Sequence, residues 1–383
     1  MVIDRCKKNC ISNGIKRLAI GECAPPKLPV QMVMRASSRI SRPQEERHLR
    51  VVLAYKNFSA HRNISHIGLG VAAINTAKVL RREGIRAEVW PIVSAGDLRC
   101  KLSISPAEQV IISAPWVPSA ELQSLANDFT DTEFAVNCHS NVGFLQADRN
   151  GVKLIREVIE LELGTANVHL GGNSRRFCHW MRSAFGAPCA YLPNLYWLDG
   201  YAARQMPWTA GTLRIGAFGA TRPLKNLMSA AGAALEIARH LRAPLEFWLS
   251  GGRAEGGGET ILAAVREMLH GLPGVQVVSN HWQSWPSFRK TVAHMHLLLQ
   301  PSYTESFNVV TADGVAEGVP SVVSDAIDWA PDDWKANVDD VLAIARVGRR
   351  LLRDERAAEE GRAALESYVA DGVQAYRRYF AKE

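Results

Sequence analysis

Glu305 and, eight residues on, Asp313 mark the densest concentration of chemistry-bearing residues in this 383-residue chain. They follow an apolar stretch, 297–299, that reads as a short buried strand, and a helix is expected to begin near Phe307. Glu305 therefore falls at the C-terminal edge of a sheet, where open α/β folds collect their ligands. A carboxylate there can accept two hydroxyl hydrogen bonds. The amides of Phe307, Asn308 and Val309 sit at the expected helix start, where unpaired N–H groups favour an anion. Asp313 lies about 12 Å along the axis of a continuous helix, so it reaches a different part of an extended ligand, such as ribose hydroxyls.

Upstream, a loop carries Gly219, Arg222 and Lys225. Lys225 offers a compact charge and Arg222 a forked donor, the cations that a diphosphate needs. Trp282 and Trp285 either stack on a nucleotide base or pack inside the protein. In the first half, Gly68 and Gly70 follow a strand and open a helix, without the full dinucleotide fingerprint. They form a tight turn, either around a substrate phosphate or sugar or for purely structural reasons. His139 follows another strand at the ligand-collecting end of the sheet, where it either contacts a sugar oxygen or packs. His61 and His66, in the first loop, are candidates for contacting an acceptor. There is no Ser-His-Asp motif. Cys6, Cys10 and Cys23 lack the paired spacing and fourth ligand of a zinc site, and His294 and His296 read as strand-edge residues.

These residues need two parallel sheets to position them. Short apolar runs at 51–55, 87–91, 110–113, 133–137 and 167–170 alternate with helical stretches such as 152–163. A second series begins at 213–218 and continues through strands at 245–249, 275–279, 297–299 and 319–323, with helices at 226–241, 259–270, 287–294 and 307–317. This βα rhythm predicts sheets covered by helices on both faces. The expected domains are a basic irregular extension at 1–49, a first α/β domain at 50–195 and a linker at 196–210. A second α/β domain follows at 211–340, then C-terminal helices at 341–383.

The formal net charge of +7 resides in the leader: residues 1–50 hold 11 basic and 4 acidic residues, and the rest of the chain balances. Such a leader either touches nucleic acid or an anionic surface or is simply a solvated terminus. Seven cysteines, an odd number scattered through a large chain, fit a reducing compartment. With no apolar run near the roughly 20 residues that span a bilayer, a cytoplasmic location is expected, with peripheral membrane contact as an option.

At Gly219 through Asn226, Glu305 through Asp313 and Gly318-Val319-Pro320, the chain resembles the retaining GT-B glycosyltransferases of family four. Gly68, Gly70 and His139 resemble that family's N-domain glycine and histidine loops. The resemblance implies two facing Rossmann-like domains with C-terminal helices bridging back, and a nucleotide-sugar donor held by the second domain. It implies that Glu305 contacts the donor sugar, Asp313 the ribose, Lys225 the diphosphate, and His139 the sugar or reacting centre. His139 and Glu305 are then the catalytic pair. Neither a metal nor a pyridine nucleotide is expected.

The implied acceptor is a saccharide, a cell-envelope glycan or a lipid-linked glycan. A hydroxymethylated DNA base is the alternative that the basic leader keeps open, and a non-catalytic nucleotide-sugar-binding protein is another. The chain departs from the family pattern in three places. Ala220 stands where a basic residue is usual, Ser306 and Asn308 replace glycines, and Asp313 replaces a glutamate.

Overall fold

The computed structural model describes residues 49–57, 67–198, 200, 207–281 and 283–382. His61, His66, Trp282 and the basic leader up to residue 48 lie outside the described residues, as does part of the expected linker. Six parallel strands form a first sheet in the order β2-β1-β3-β4-β5-β6. They are β1 (Arg50–Lys56), β2 (Arg86–Ile92), β3 (Gln109–Ser113), β4 (Glu133–Cys138), β5 (Val168–Gly172) and β6 (Ala190–Tyr191). The helices between them are α1 (Ile67–Arg82), α2 (Ala95–Ile104), α3 (Ser119–Asp128), α4 (Val142–Leu145), α5 (Arg149–Gly164) and α6 (Arg175–Phe185). β3 is buried along its whole length, as a parallel strand covered on both faces must be. This is why such strands appear in the sequence as unbroken apolar runs.

The second sheet is also parallel, in the order β11-β10-β7-β8-β9. It comprises β7 (Leu213–Ala217), β8 (Leu245–Ser250), β9 (Val275–Asn280), β10 (Leu297–Gln300) and β11 (Ser321–Val323). Its helices are α7 (Leu227–Leu241), α8 (Gly258–Leu269), α9 (Trp285–Ala293) and α10 (Val309–Ala316). Strand order reverses between β7 and β10. The loops that follow these two strands therefore diverge and leave a crevice at the carboxyl ends, the usual ligand position of an open α/β sheet. Gly219–Lys225 and Pro301–Asn308 lie on those two loops.

Two C-terminal helices follow, α11 (Val341–Leu351) and α12 (Ala357–Ala381). α12 returns to the first sheet. Tyr376 donates to the Pro193 carbonyl at 3.1 Å, Arg377 meets Glu83 at 3.1 Å, and Lys382 meets Glu133 at 2.6 Å. One continuous apolar core runs from β1 through the second sheet to α12. Together these elements form the expected GT-B arrangement of two Rossmann-like lobes with C-terminal helices bridging back.

Two expected boundaries move. The helix anticipated at Phe307 starts at Val309, because Asn308 takes a left-handed conformation (φ 63°) and caps it. The strand anticipated from Val319 starts at Ser321. Gly318 turns the chain at φ 73°, the Val319 amide bonds the Gly314 carbonyl, and Pro320 has no amide to give.

Candidate active site

A cleft of about 360 Å³ lies between the lobes. Its floor on the second lobe is an ion pair between Lys225 and Glu305, whose positions are fixed by the backbone. Gly219 stands at φ 114°, a conformation that disfavours any side chain, and its amide donates to Ser250 Oγ at 3.2 Å. The chain then folds into a 3-10 turn, Pro223–Lys225, and Asn226 ties that turn to the neighbouring loop by donating to the Pro301 carbonyl at 3.1 Å. The Tyr303 amide bonds the Leu224 carbonyl at 3.0 Å. Lys225 and Glu305 thus meet across two mutually strapped loops.

Asn308 organises the other side of Glu305. Its Nδ2 donates to Glu305 Oε1 and to Gln300 Oε1, both at 3.1 Å, and its Oδ1 accepts from the Thr311 amide at 3.0 Å. With Thr311 capped, the amides of Val309 and Val310 are the first-turn donors left for an anion. Both residues line the cleft. Phe307 supplies packing instead: its ring stacks on Trp329 at 5.7 Å and on Tyr368 of α12 at 5.4 Å, and its carbonyl accepts from Trp329 at 2.6 Å.

Asp313 lines the cleft but is 1% exposed. Its Oδ1 accepts from Tyr196 Oη at 2.6 Å and from Trp285 Nε1 at 2.9 Å. Burial pushes its carboxyl up to about 7 against the opposing pull of those two donors and of Arg289, with Glu317 adding to the rise. Trp285 packs edge-on to Tyr196 at 6.4 Å, so its indole N–H is engaged inside the protein. Arg222 crosses toward the first lobe and lies over the Phe144 ring at 5.6 Å. Its Nε has no hydrogen-bond partner.

From the first lobe, His139 follows β4 and faces the cleft. Its Nδ1 accepts from Asn173 Nδ2 at 3.4 Å, which assigns the proton to Nε2. Nε2 is shielded from solvent and has no protein partner, and burial lowers the imidazole to about 4. The neutral ring thus keeps one unpaired N–H on a residue that lines the cleft. Asn173 also donates to Ser306 Oγ at 3.2 Å, and Ser306 donates to the His139 carbonyl at 3.3 Å.

The lobes approach closely here. A Cβ at Gly143 would lie 2.8 Å from the Thr304 side chain, so any larger residue there requires Thr304 to shift. Gly68 lines the cleft with open space beside it, whereas Gly70 packs against Tyr55. Asn173, Tyr196 and Arg289 were not singled out in the sequence, and Ser306 was noted only as a departure from the family pattern. The Gly171-Gly172-Asn173-Ser174 turn into α6 and the buried aromatic Tyr196 were the available signals for two of them.

Among the described residues, Asp333, Asp354 and Glu360 bring carboxylates together, but outside the cleft lining and beside Arg350. No described helix is long and apolar enough to cross a membrane.

Residues 176–330, less than half of the chain, match the family described as Family 4 Glycosyltransferase in conflict systems. None of the curated proteins compared with the chain matches it. Among solved structures, HepE of Anabaena, in complex with UDP and glucose, is 11% identical with a TM-score of 0.60, over 88% of this chain and all of HepE. A UDP-forming trehalose-phosphate synthase from Burkholderia xenovorans is 11% identical with a TM-score of 0.56, over 85% of this chain and 96% of its own. TarM of S. aureus, in complex with fondaparinux, alpha-GlcNAc-glycerol and UDP, is 13% identical with a TM-score of 0.52, over 71% of this chain but only 55% of TarM. These likenesses fix the fold as GT-B. Over residues 176–330 the chain is similar to family 4 glycosyltransferases.

Proposed function

We propose that the protein transfers a sugar, with retention, from a nucleotide-sugar donor to a hydroxyl of a saccharide acceptor. The observation that carries this reading is the Lys225–Glu305 pair beside the start of α10 and within the cleft that His139 faces. In this reading Lys225 moves onto the donor diphosphate together with the amides of Val309 and Val310, and Arg222 approaches the same charge from the loop. Glu305 is then released to accept sugar hydroxyls. The Nε2 proton of His139 donates to a sugar oxygen. Asp313, held by Tyr196 and Trp285, addresses the ribose through its remaining oxygen.

With Glu305 assigned to sugar hydroxyls and Asp313 to the ribose, this reading leaves no carboxylate of the cleft lining as a covalent nucleophile, and the reaction proceeds on one face of the sugar. The bond to the diphosphate breaks as the acceptor oxygen bonds to the same carbon, and the departing diphosphate takes the acceptor proton. The protein aligns the two substrates and stabilises the negative charge that develops on the leaving group. Lys225 and the helix amides provide that stabilisation without a metal. Domain limits of 50–195 and 211–340 follow from the same assignment, with 196–210 as the linker and 341–383 as the C-terminal helices.

The test is a panel of nucleotide sugars incubated with saccharide acceptors, with and without chelator, with transfer read by mass spectrometry and anomeric configuration by NMR. Sugar transfer with retained anomeric configuration that persists in chelator supports the proposal. Strict dependence on a divalent ion, or donor binding without transfer to any acceptor, overturns it.

A further inference from the structure

A second cavity, of about 650 Å³, lies between the first sheet and α12. Gln109 and Glu133 line it, and each is the first residue of its strand. The active cleft draws on His139, just past the opposite, carboxyl end of β4, roughly 17 Å away along that six-residue strand, while Arg175 of the second cavity opens α6 two residues after the cleft's Asn173. The two cavities share no lining residue.

Of the two acids of this second cavity, Glu133 is engaged and Glu162 only through one oxygen. Glu133 takes both Lys382 at 2.6 Å and His169 at 2.7 Å, and Glu162 lies 3.7 Å from the other nitrogen of His169. Three arginines of the lining have no carboxylate partner among the described residues. Arg175 lies over the Tyr191 ring at 4.5 Å, Arg182 reaches the Cys189 carbonyl at 3.4 Å, and Arg378 projects from α12. With Lys382, the lining carries four Lys or Arg side chains against two carboxylates, a surplus that suits a phosphate monoester dianion. Guanidinium groups also match phosphate oxygens in geometry.

Three shielded polar atoms on residues of the lining have no hydrogen-bond partner: Gln109 Oε1, Glu162 Oε2 and Tyr379 Oη. Gln109 is only 4% exposed. Buried groups of this kind normally have partners, and two acceptors with one hydroxyl call for ligand hydroxyl groups. The volume falls within the range of small-ligand sites.

We propose that this cavity binds a free phosphorylated sugar, with the phosphate held by Arg175, Arg182 and Arg378 and the hydroxyls by Gln109, Glu162 and Tyr379. The site is independent of the transfer reaction and of the donor cleft.

Calorimetric titration of the full chain with glucose 6-phosphate, with and without saturating UDP, tests it. Glucose and inorganic phosphate serve as separate probes. Saturable binding that UDP leaves unchanged, that exceeds binding of either probe, and that Arg378→Gln weakens at least about tenfold supports the site; that is the order expected of one lost charge-assisted contact. Arg378 is exposed, so the variant should fold, and Arg175→Gln, also at an exposed position, provides a second reading. No binding, binding displaced by UDP, equal binding of inorganic phosphate, or indifference to both substitutions overturns the proposal.

Discussion

Asn173 and Ser306, 133 positions apart, meet side chain to side chain at 3.2 Å across the two lobes. The same Asn173 nitrogen reaches His139 at 3.4 Å, and Ser306 is the residue immediately after Glu305. One amide therefore couples the orientation of the cleft histidine to the loop that carries the cleft carboxylate. A glycine at position 306, the residue usual in the resembled family, lacks the hydroxyl needed for this contact.

Replacing Asn173 with Ala should leave a folded protein with turnover lowered about ten- to a hundredfold, since small losses of alignment have effects of that order. The KM for the donor should change much less, because the proposed diphosphate contacts, Lys225 and the start of α10, lie on the other lobe. Ser306→Ala should show a milder version of the same split. Steady-state kinetics on both variants, with melting temperature as a folding control, checks this. A matched rise in KM with unchanged kcat contradicts a positioning role.

Lys225→Ala should lower kcat by about 10²–10³-fold, the scale found on removing a group that stabilises developing charge. Glu305→Ala should also impair transfer strongly. Because the two side chains pair with each other in the donor-free protein, the double variant should lose less than the product of the single losses. Single-turnover assays on the three variants, alongside donor-binding calorimetry, measure this. Simple multiplicativity shows that the pair does not act as a unit.

The chain announces its sheets because each buried parallel strand leaves an apolar run, as at 110–113 and 297–299. Gly84, at φ 83°, ends α1 as its type predicts. Less legible was anything set by how the lobes meet. Tyr196 and Asp313 are 117 positions apart, and nothing local to either residue announces their hydrogen bond. The two-residue strand β6 is too short to show a period. Phe307 belongs to the apolar pattern of the following helix yet stays outside it, because its ring is drawn into the stack with Trp329 and Tyr368.

The burial of Asp313 has a consequence for stability. Its carboxyl is raised in the folded protein from an ordinary value near 3.8 to about 7. Between those values the native state keeps a proton that the unfolded chain has released. The stabilising contribution is therefore full below about 3.8 and is lost as pH rises through about 7. Asp313→Asn keeps an oxygen for Tyr196 and Trp285 but cannot ionise. Its stability relative to the parent should improve on going from pH 5 to pH 8.5, by on the order of a few kcal/mol. Urea denaturation at the two pH values measures the difference, and a constant difference contradicts the assigned shift.

His139 makes the opposite prediction for acid. Burial lowers its imidazole from 6.5 to about 4, so the folded protein keeps the ring neutral while the unfolded chain takes up a proton. Stability from this group is full above about 6.5 and falls as pH drops toward 4. His139→Gln should therefore lose less stability than the parent between pH 7 and pH 4.5. Turnover should show no inflection near 6.5 from this residue, because the proposed donor is the neutral ring's Nε2–H throughout. A pH–rate profile from pH 5 to 8 and the chemical shifts of the imidazole carbons in labelled protein test the two halves separately. A titration near 6.5 in those shifts would show that His139 is protonated in the working range and would remove it as a neutral donor.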